Sequence, residues 1–253
     1  MEPILPFDLL RRRTVAAGTA SVALVGMAML GTIAFVPLFV QGVIGTSATS
    51  SGVVLTPLML GAVGMSVLSG QWVSRTGRYR PNALVGPLVL AAGLFLLSRM
   101  GVHTTNGEAA RNMVVAGMGL GLMMQVFVLV VQNSVPLAAM GSATALTQFS
   151  RQIGATLGVT LMGVIVNQGL PARIGSGGTV VHRLPPALRA DLASALRPAF
   201  AGAAVLALIV LLIVIVGVHE VPLRKGFDEA RLADELGEGG EELRPPAEAP
   251  ARQ

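Results

Sequence analysis

An all-α membrane protein of six transmembrane helices is the fold class this sequence predicts, and three observations predict it. The 253 residues are 53% apolar and 12% charged, with mean hydropathy +0.70, about half the charge of an ordinary soluble domain. The apolar residues gather in six blocks, about 15–40, 52–73, 82–100, 112–133, 146–168 and 198–218. Each block is near or above the roughly 20 residues a helix needs to cross about 30 Å of hydrocarbon. The blocks are also continuous, whereas strands of a membrane barrel alternate in segments of about ten residues.

The blocks divide the chain into a lead-in (1–14), a six-helix domain (15–218) and an acidic tail (219–253). Pro37, Pro57 and Pro87 lie inside blocks, where membrane helices tolerate proline better than soluble ones do. The polar, basic start and the long first block predict no cleavable leader. Arg11, Arg12 and Arg13 precede the first block, the next connection (Gly42 to Ser51) is uncharged, and Arg75, Arg78 and Arg80 follow the second block. Basic short loops stay inside, so both termini and the loop near Arg78 are expected in the cytoplasm, with the chain multi-pass in a plasma (inner) membrane. Arg99, Arg111, Arg173, Arg183, Arg189 and Arg197 fall on the outer side; four of the six sit in the long connection at about 169–197, and long loops count for less.

Within that connection Leu188, Leu192 and Leu196 recur every four residues after Pro186, which predicts a short amphipathic helix on the outer face. It reads either as an ordered loop element or as a lid. The tail holds nine acids and five bases and is rich in proline, predicting a helix over roughly 226–236 and disorder beyond.

Charge and composition exclude several functions. The net charge of +5 comes from arginines flanking spans, and one Trp and one Tyr supply no stacking platform for nucleic acid. No cysteine is present, so disulfides, thiolate metal sites and thiol nucleophiles are absent. His103, His182 and His219 fall in loops or at a span end, which argues against a metal site or a histidine proton relay. No cofactor is expected. An embedded enzyme needs a nucleophile, a metal or paired acids, and the spans offer none.

Polar residues inside the spans are few. Gly117 and Gly121 are four apart beside Met123, Met124 and Gln125, and Gln125 shares a helical face with Gln132. Small residues at this spacing let two helices approach closely, and methionine adds adaptable surface suited to promiscuous binding. The glutamines fit either interhelical hydrogen bonding or a substrate-facing role. In the fifth block Gln148 and Gln152 lie one turn apart, Arg151 sits about one turn inside, and Gly154 and Gly158 repeat the close-packing pattern. Arg151 either faces the bundle interior or a cavity, or snorkels to the headgroups. All thirteen acids lie outside the spans. Proton coupling uses a group that changes charge within the membrane, so any coupling carboxylate is expected on another polypeptide.

Gly70-Gln71-Trp72-Val73-Ser74-Arg75-Thr76-Gly77-Arg78-Tyr79-Arg80 resembles the loop signature of the major facilitator superfamily, which joins the second and third helices of each half. Gly70, Arg75, Gly77, Arg78 and Arg80 fit it; Ser74 stands where an acid is usual. Pro6 to Thr14, Phe35 to Gln41, Ser47 to Gly52, Gly119 to Gln125, Gln132 to Pro136 and Arg151 to Gly154 are similar to the second half of a drug:proton antiporter of the fourteen-spanner EmrB/QacA branch. The resemblance covers about residues 3–220. It implies a six-helix half bundle built from three-plus-three inverted repeats, facing a second half across the substrate path. It further implies a cytoplasmic gate loop at Gly70, Arg75, Gly77, Arg78 and Arg80, with substrate-cavity candidates Met124, Gln125, Gln132, Gln148, Arg151 and Gln152. Expected partners are the lipid bilayer, a small amphipathic substrate and a missing N-terminal half or second subunit. The chain is expected to be a fragment of a multidrug-efflux-type transporter, incompetent alone. A homodimeric six-span transporter and a non-transport membrane scaffold are the alternatives.

Overall fold

In the computed structural model, residues 13–45, 54–136, 139–169 and 185–217 are described. The expectations for the outer turn at 47–52, for most of the 169–197 connection and for the tail beyond 217 lie outside them.

Six helices are present among the described residues: α1 (Arg13–Phe39), α2 (Thr56–Thr76), α3 (Arg80–Ser98), α4 (Asn106–Asn133), α5 (Met140–Gly169) and α6 (Pro186–Gly217), with no strand between them. Five are long and apolar enough to cross a membrane; α2 falls short. It spans 21 residues, about 32 Å, but Gly61, Gly64, Ser66, Ser69, Gly70 and Gln71 dilute its apolar content.

Several ends differ from the apolar blocks. Pro37 interrupts the hydrogen-bond ladder of α1, and a π-turn, Val40–Ile44, follows, closing on Gly45 at φ 87°. A capping box starts α4: the Thr105 hydroxyl accepts from the Glu108 amide, and the Glu108 carboxylate accepts from the Thr105 amide. Two orphan donors are thereby satisfied six residues ahead of the apolar block. The separate amphipathic helix expected after Pro186 is not found. Pro186 opens α6, which continues through Pro198 to Gly217, and Leu192 and Leu196 are buried. The leucine stripe therefore packs as the first turns of the last helix, with Arg197 Nε donating to the Met100 carbonyl at the end of α3.

Packing follows a simple exchange. α1 packs most heavily on α5 and α2 on α4; α3 packs on α4 and α6, and α1 also on α6 and α4. Swapping α1 with α4, α2 with α5 and α3 with α6 leaves this scheme nearly unchanged. Consecutive helices reverse direction, so the two triplets run oppositely, as three-plus-three inverted repeats require. The exceptions are α5 against α6 and α4 against α5, whose counterpart pairs α2 with α3 and α1 with α2 touch less.

Glycine sets both principal crossings. A methyl group at Gly154 or Gly158 of α5 would overlap the backbone of Ala23 or Met27 in α1, and one at Gly26 of α1 would overlap the Arg151 carbonyl. Across the other crossing, Gly117 and Gly121 of α4 meet the carbonyls of Leu58 and Ala62 in α2, and Gly61 of α2 meets that of Val114. Backbones this close gain dispersion contacts that replace the missing hydrophobic drive in lipid.

Candidate functional site

The turn between α2 and α3 is tighter than the sequence suggests. It is three residues, Gly77 to Tyr79. Gly77 adopts φ 68° and its amide donates to the Val73 carbonyl at 2.8 Å, a left-handed cap that glycine adopts without strain. Pro81 then lies in the first turn of α3, where its missing N–H costs nothing. Gly70 is not in the turn. It sits inside α2 with nothing within 4 Å of where a Cβ would stand, so neither reversal nor packing in this bundle requires it. The Ser74 hydroxyl donates to its own helix, at the Gln71 carbonyl. Arg75 and Arg78 are exposed, and the Arg80 Nε is buried without a hydrogen-bond partner among the described residues. Tyr79 is fully buried.

Two residues that the sequence reading passed over hold this turn. The Asn82 amide donates to the Ser69 hydroxyl at 2.9 Å and to the Ser69 carbonyl at 3.4 Å, and both residues are buried. A buried amide that finds two acceptors across a turn fixes the angle between its helices. Asparagine just after a Pro at a helix start, facing serine thirteen residues earlier, was the available signal.

The other predicted residues divide into three groups. Met124, Gln148 and Arg151 come together on a narrow cleft where α1, α4 and α5 meet, with Val25, Met29 and Phe127 as its apolar walls. At its deepest it has room for about one water-sized body. Gln132 is elsewhere: its amide donates to the Thr144 hydroxyl at 2.9 Å and ties α4 to α5. Gln125 and Gln152 are exposed outside the cleft lining. The adjacent methionines also part company, with Met123 fully buried and Met124 40% exposed.

Arg151 lies deeper than its distance from the apolar block implied. α5 begins at Met140, which places Arg151 about 16 Å along the axis. Its carbonyl faces Gly26, the midpoint of α1. Gly26 is in turn about 20 Å along α1 from Arg13, farther than an arginine side chain extends. Snorkelling toward the end marked by Arg13 is therefore out of reach. An arginine at the centre of a helix in lipid costs about 3 kcal/mol or more without water or a partner. Arg151 is partly buried and has no hydrogen-bond or ion-pair partner among the described residues.

Its helix is the most open of the five apolar ones: 28% of the apolar stretch of α5 is buried, against 61% for α4. The exposed surface of α5 is two-sided. Gln148, Gln152, Thr156 and Thr160 form one row and Phe149, Ile153, Leu157 and Leu161 the adjacent row, all exposed. Thr156 and Thr160 donate to carbonyls of their own helix, while the two glutamine amides have no partner among the described residues. Lipid suits the second row and not the first.

Comparison with known proteins agrees with this architecture. The sequence profile of the Major Facilitator Superfamily matches residues 2–159. The multidrug transporter protein MdtP of Bacillus subtilis is 36% identical over 187 residues, 74% of this chain and 33% of that protein. An uncharacterized MFS-type transporter of Mycobacterium tuberculosis is 35% identical over 231 residues, 85% of this chain and 33% of that one. A tetracycline resistance determinant of Streptomyces rimosus is 32% identical over 161 residues, covering 64% and 46%. The chain thus spans about a third of the length of the first two relatives. Among solved structures, an inward-facing bacterial homolog of the human lysosomal transporter Spinster superposes with TM-score 0.66 at 18% identity, covering 85% of this chain and 50% of that one. The E. coli fucose:proton symporter gives TM-score 0.66 at 14% identity, covering 90% and 55%. With its six-helix packing and a profile match across most of its length, this chain belongs to the Major Facilitator Superfamily.

Proposed function

We propose that this chain is the C-terminal six-helix half of a multidrug-efflux-type transporter of the EmrB/QacA branch, exporting small amphipathic compounds. The observation that carries it is the two-sided surface of α5. A row of threonines and of glutamines without partners among the described residues, beside the Arg151 cleft, suits a water-filled path, and the apolar row suits lipid or a second bundle. The relatives named for multidrug and tetracycline resistance support efflux as the activity. In this reading Met124, Gln125, Gln148, Arg151 and Gln152 form one wall of the cavity, and the Gly77–Tyr79 turn with Arg75, Arg78 and Arg80 forms part of the cytoplasmic gate. The opposite wall and the coupling carboxylate belong to another half, because no acid lies within the six apolar blocks and Glu108 and Asp191 sit only in the first turns of α4 and α6. The chain alone then cannot alternate its access.

The absence of cysteine allows a direct test in native membranes. Single cysteines replacing Gln148, Gln152 and Thr156 are expected to react with a membrane-impermeant maleimide, and those replacing Phe149, Ile153 and Leu157 to stay unlabelled. Equal labelling of the two rows would remove the cavity wall. A cysteine at Arg78 is expected to react only after the cells are opened; labelling from outside would invert the topology. Proton-driven efflux by the purified chain alone would overturn the half-transporter assignment.

A further inference from the structure

The geometry points to an anion site at Arg151: we infer that the cleft takes the carboxylate, sulfonate or phenolate of an amphipathic small molecule. This inference rests on the cavity reading above and deepens it by naming the charge of the ligand. The guanidinium of Arg151 is a cationic group, so the cleft carries a positive charge. Nothing in the described bundle neutralises it. The acids among the described residues are Glu108 and Asp191. Glu108 is sixteen residues from Met124 along α4, about 24 Å away, and Asp191 lies in the first turns of α6, before Arg197 meets the end of α3.

The neighbours of Arg151 fit an anion with an apolar body. Gln148, one turn earlier on the same cleft, adds a neutral amide donor beside the guanidinium fork, which matches the two oxygens of a carboxylate or sulfonate. Val25 and Phe127, both buried, close the floor of the cleft, so that it admits the charged head alone, while Met29 and the exposed Met124 at its rim face the apolar body, and methionine adapts to many shapes. The cleft is thus selective in charge and tolerant in shape. A cationic amphiphile meets an unscreened like charge there. A carboxylate of another polypeptide would satisfy the same guanidinium, and binding by the chain alone separates the two sources.

The test uses the purified full chain in nanodiscs of zwitterionic lipid, with three fluorescent naphthalene probes of matched body carrying a sulfonate, a neutral sulfonamide or a trimethylammonium group. The sulfonate is expected to bind at least about tenfold more tightly than the ammonium probe. Arg151→Gln should abolish that preference and leave the neutral probe within about twofold. Arg151→Lys should keep part of it, and Arg99→Gln, which removes an exposed arginine stacked on Phe95, should change nothing. Ammonium binding as tight as sulfonate binding overturns the anion site and leaves the cavity standing; it would assign Arg151 to a partner carboxylate. Equal weakening of all three probes by Arg151→Gln also overturns it, since that marks a structural role. No saturable binding of any probe overturns the anion site and the cavity together. Should Arg151→Gln not fold, competition in the unaltered chain decides. Displacement of the sulfonate by an alkyl carboxylate and not by the matched alcohol supports the site, and equal displacement overturns it.

Discussion

α4 and α5 are consecutive helices of 28 and 30 residues with similar ingredients, a pair of glycines four apart and two glutamines in α4 against three in α5. The fold uses them differently. α4 gives its glycines to α2, packs α3 on another side, and binds Gln132 to Thr144 of α5. α5 gives its glycines to α1 and leaves Gln148 and Gln152 on an open face. Glycine spacing therefore reports which helices approach closely, while the role of a glutamine depends on whether a third helix covers it. The two exposed helices, α2 and α5, are also the pair that the inverted-repeat exchange relates, so openness belongs to a position in the repeat.

The largest expected effects test the equality of the two glycine crossings. Gly117→Leu and Gly154→Leu each drive a side chain into a neighbouring backbone and should each destabilise by about 3 kcal/mol, measured as thermal unfolding in detergent. A large loss at one site only would break the equivalence of the repeats. Gly64→Ala, where nothing lies within 4 Å, should be neutral or slightly stabilising because alanine favours helix.

Next comes the clasp that α2 has at its turn. Asn82→Ala strands the buried Ser69 hydroxyl and should cost about 1–2 kcal/mol, seen as faster proteolysis at the Gly77–Tyr79 turn. Unchanged cleavage would leave the turn held by Gly77 and Pro81 alone. Thr105→Ala removes half of the capping box of α4 and should cost about 1 kcal/mol, read by hydrogen exchange in its first turn. The smallest pair sharpens the glutamine contrast. Gln132→Ala should lower stability by about 0.6 kcal/mol, and Gln152→Ala by under about 0.5 kcal/mol. Equal losses would mean that Gln152 has a partner in the assembled protein.

The lipid-embedded, six-helix character of the chain was legible because burial in lipid writes itself as long continuous apolar blocks. Glycine pairs were legible as close contacts because few other residues permit them. Helix ends were read less well. Block edges mark where apolar character changes, whereas α4 starts at its capping box and α6 continues through Pro198 because helix–helix packing carries it. Four of the six cavity candidates are glutamines of identical chemistry, yet the cleft gathers Gln148 with Met124 and Arg151 and leaves Gln125, Gln132 and Gln152 outside it.

By itself the sequence determined how many helices form, which are apolar, where their glycines can touch, and that no carboxylate enters an apolar block. These follow from local composition and from the cost of exposing polar groups to lipid. Only the tertiary structure decided that Arg151 lies level with the middle of α1 without a counter-charge among the described residues, that Asn82 clasps Ser69, and that one row of α5 stays uncovered among them. Depth, partnership and coverage depend on which helix packs beside which, and that is fixed by contacts between residues far apart in the chain.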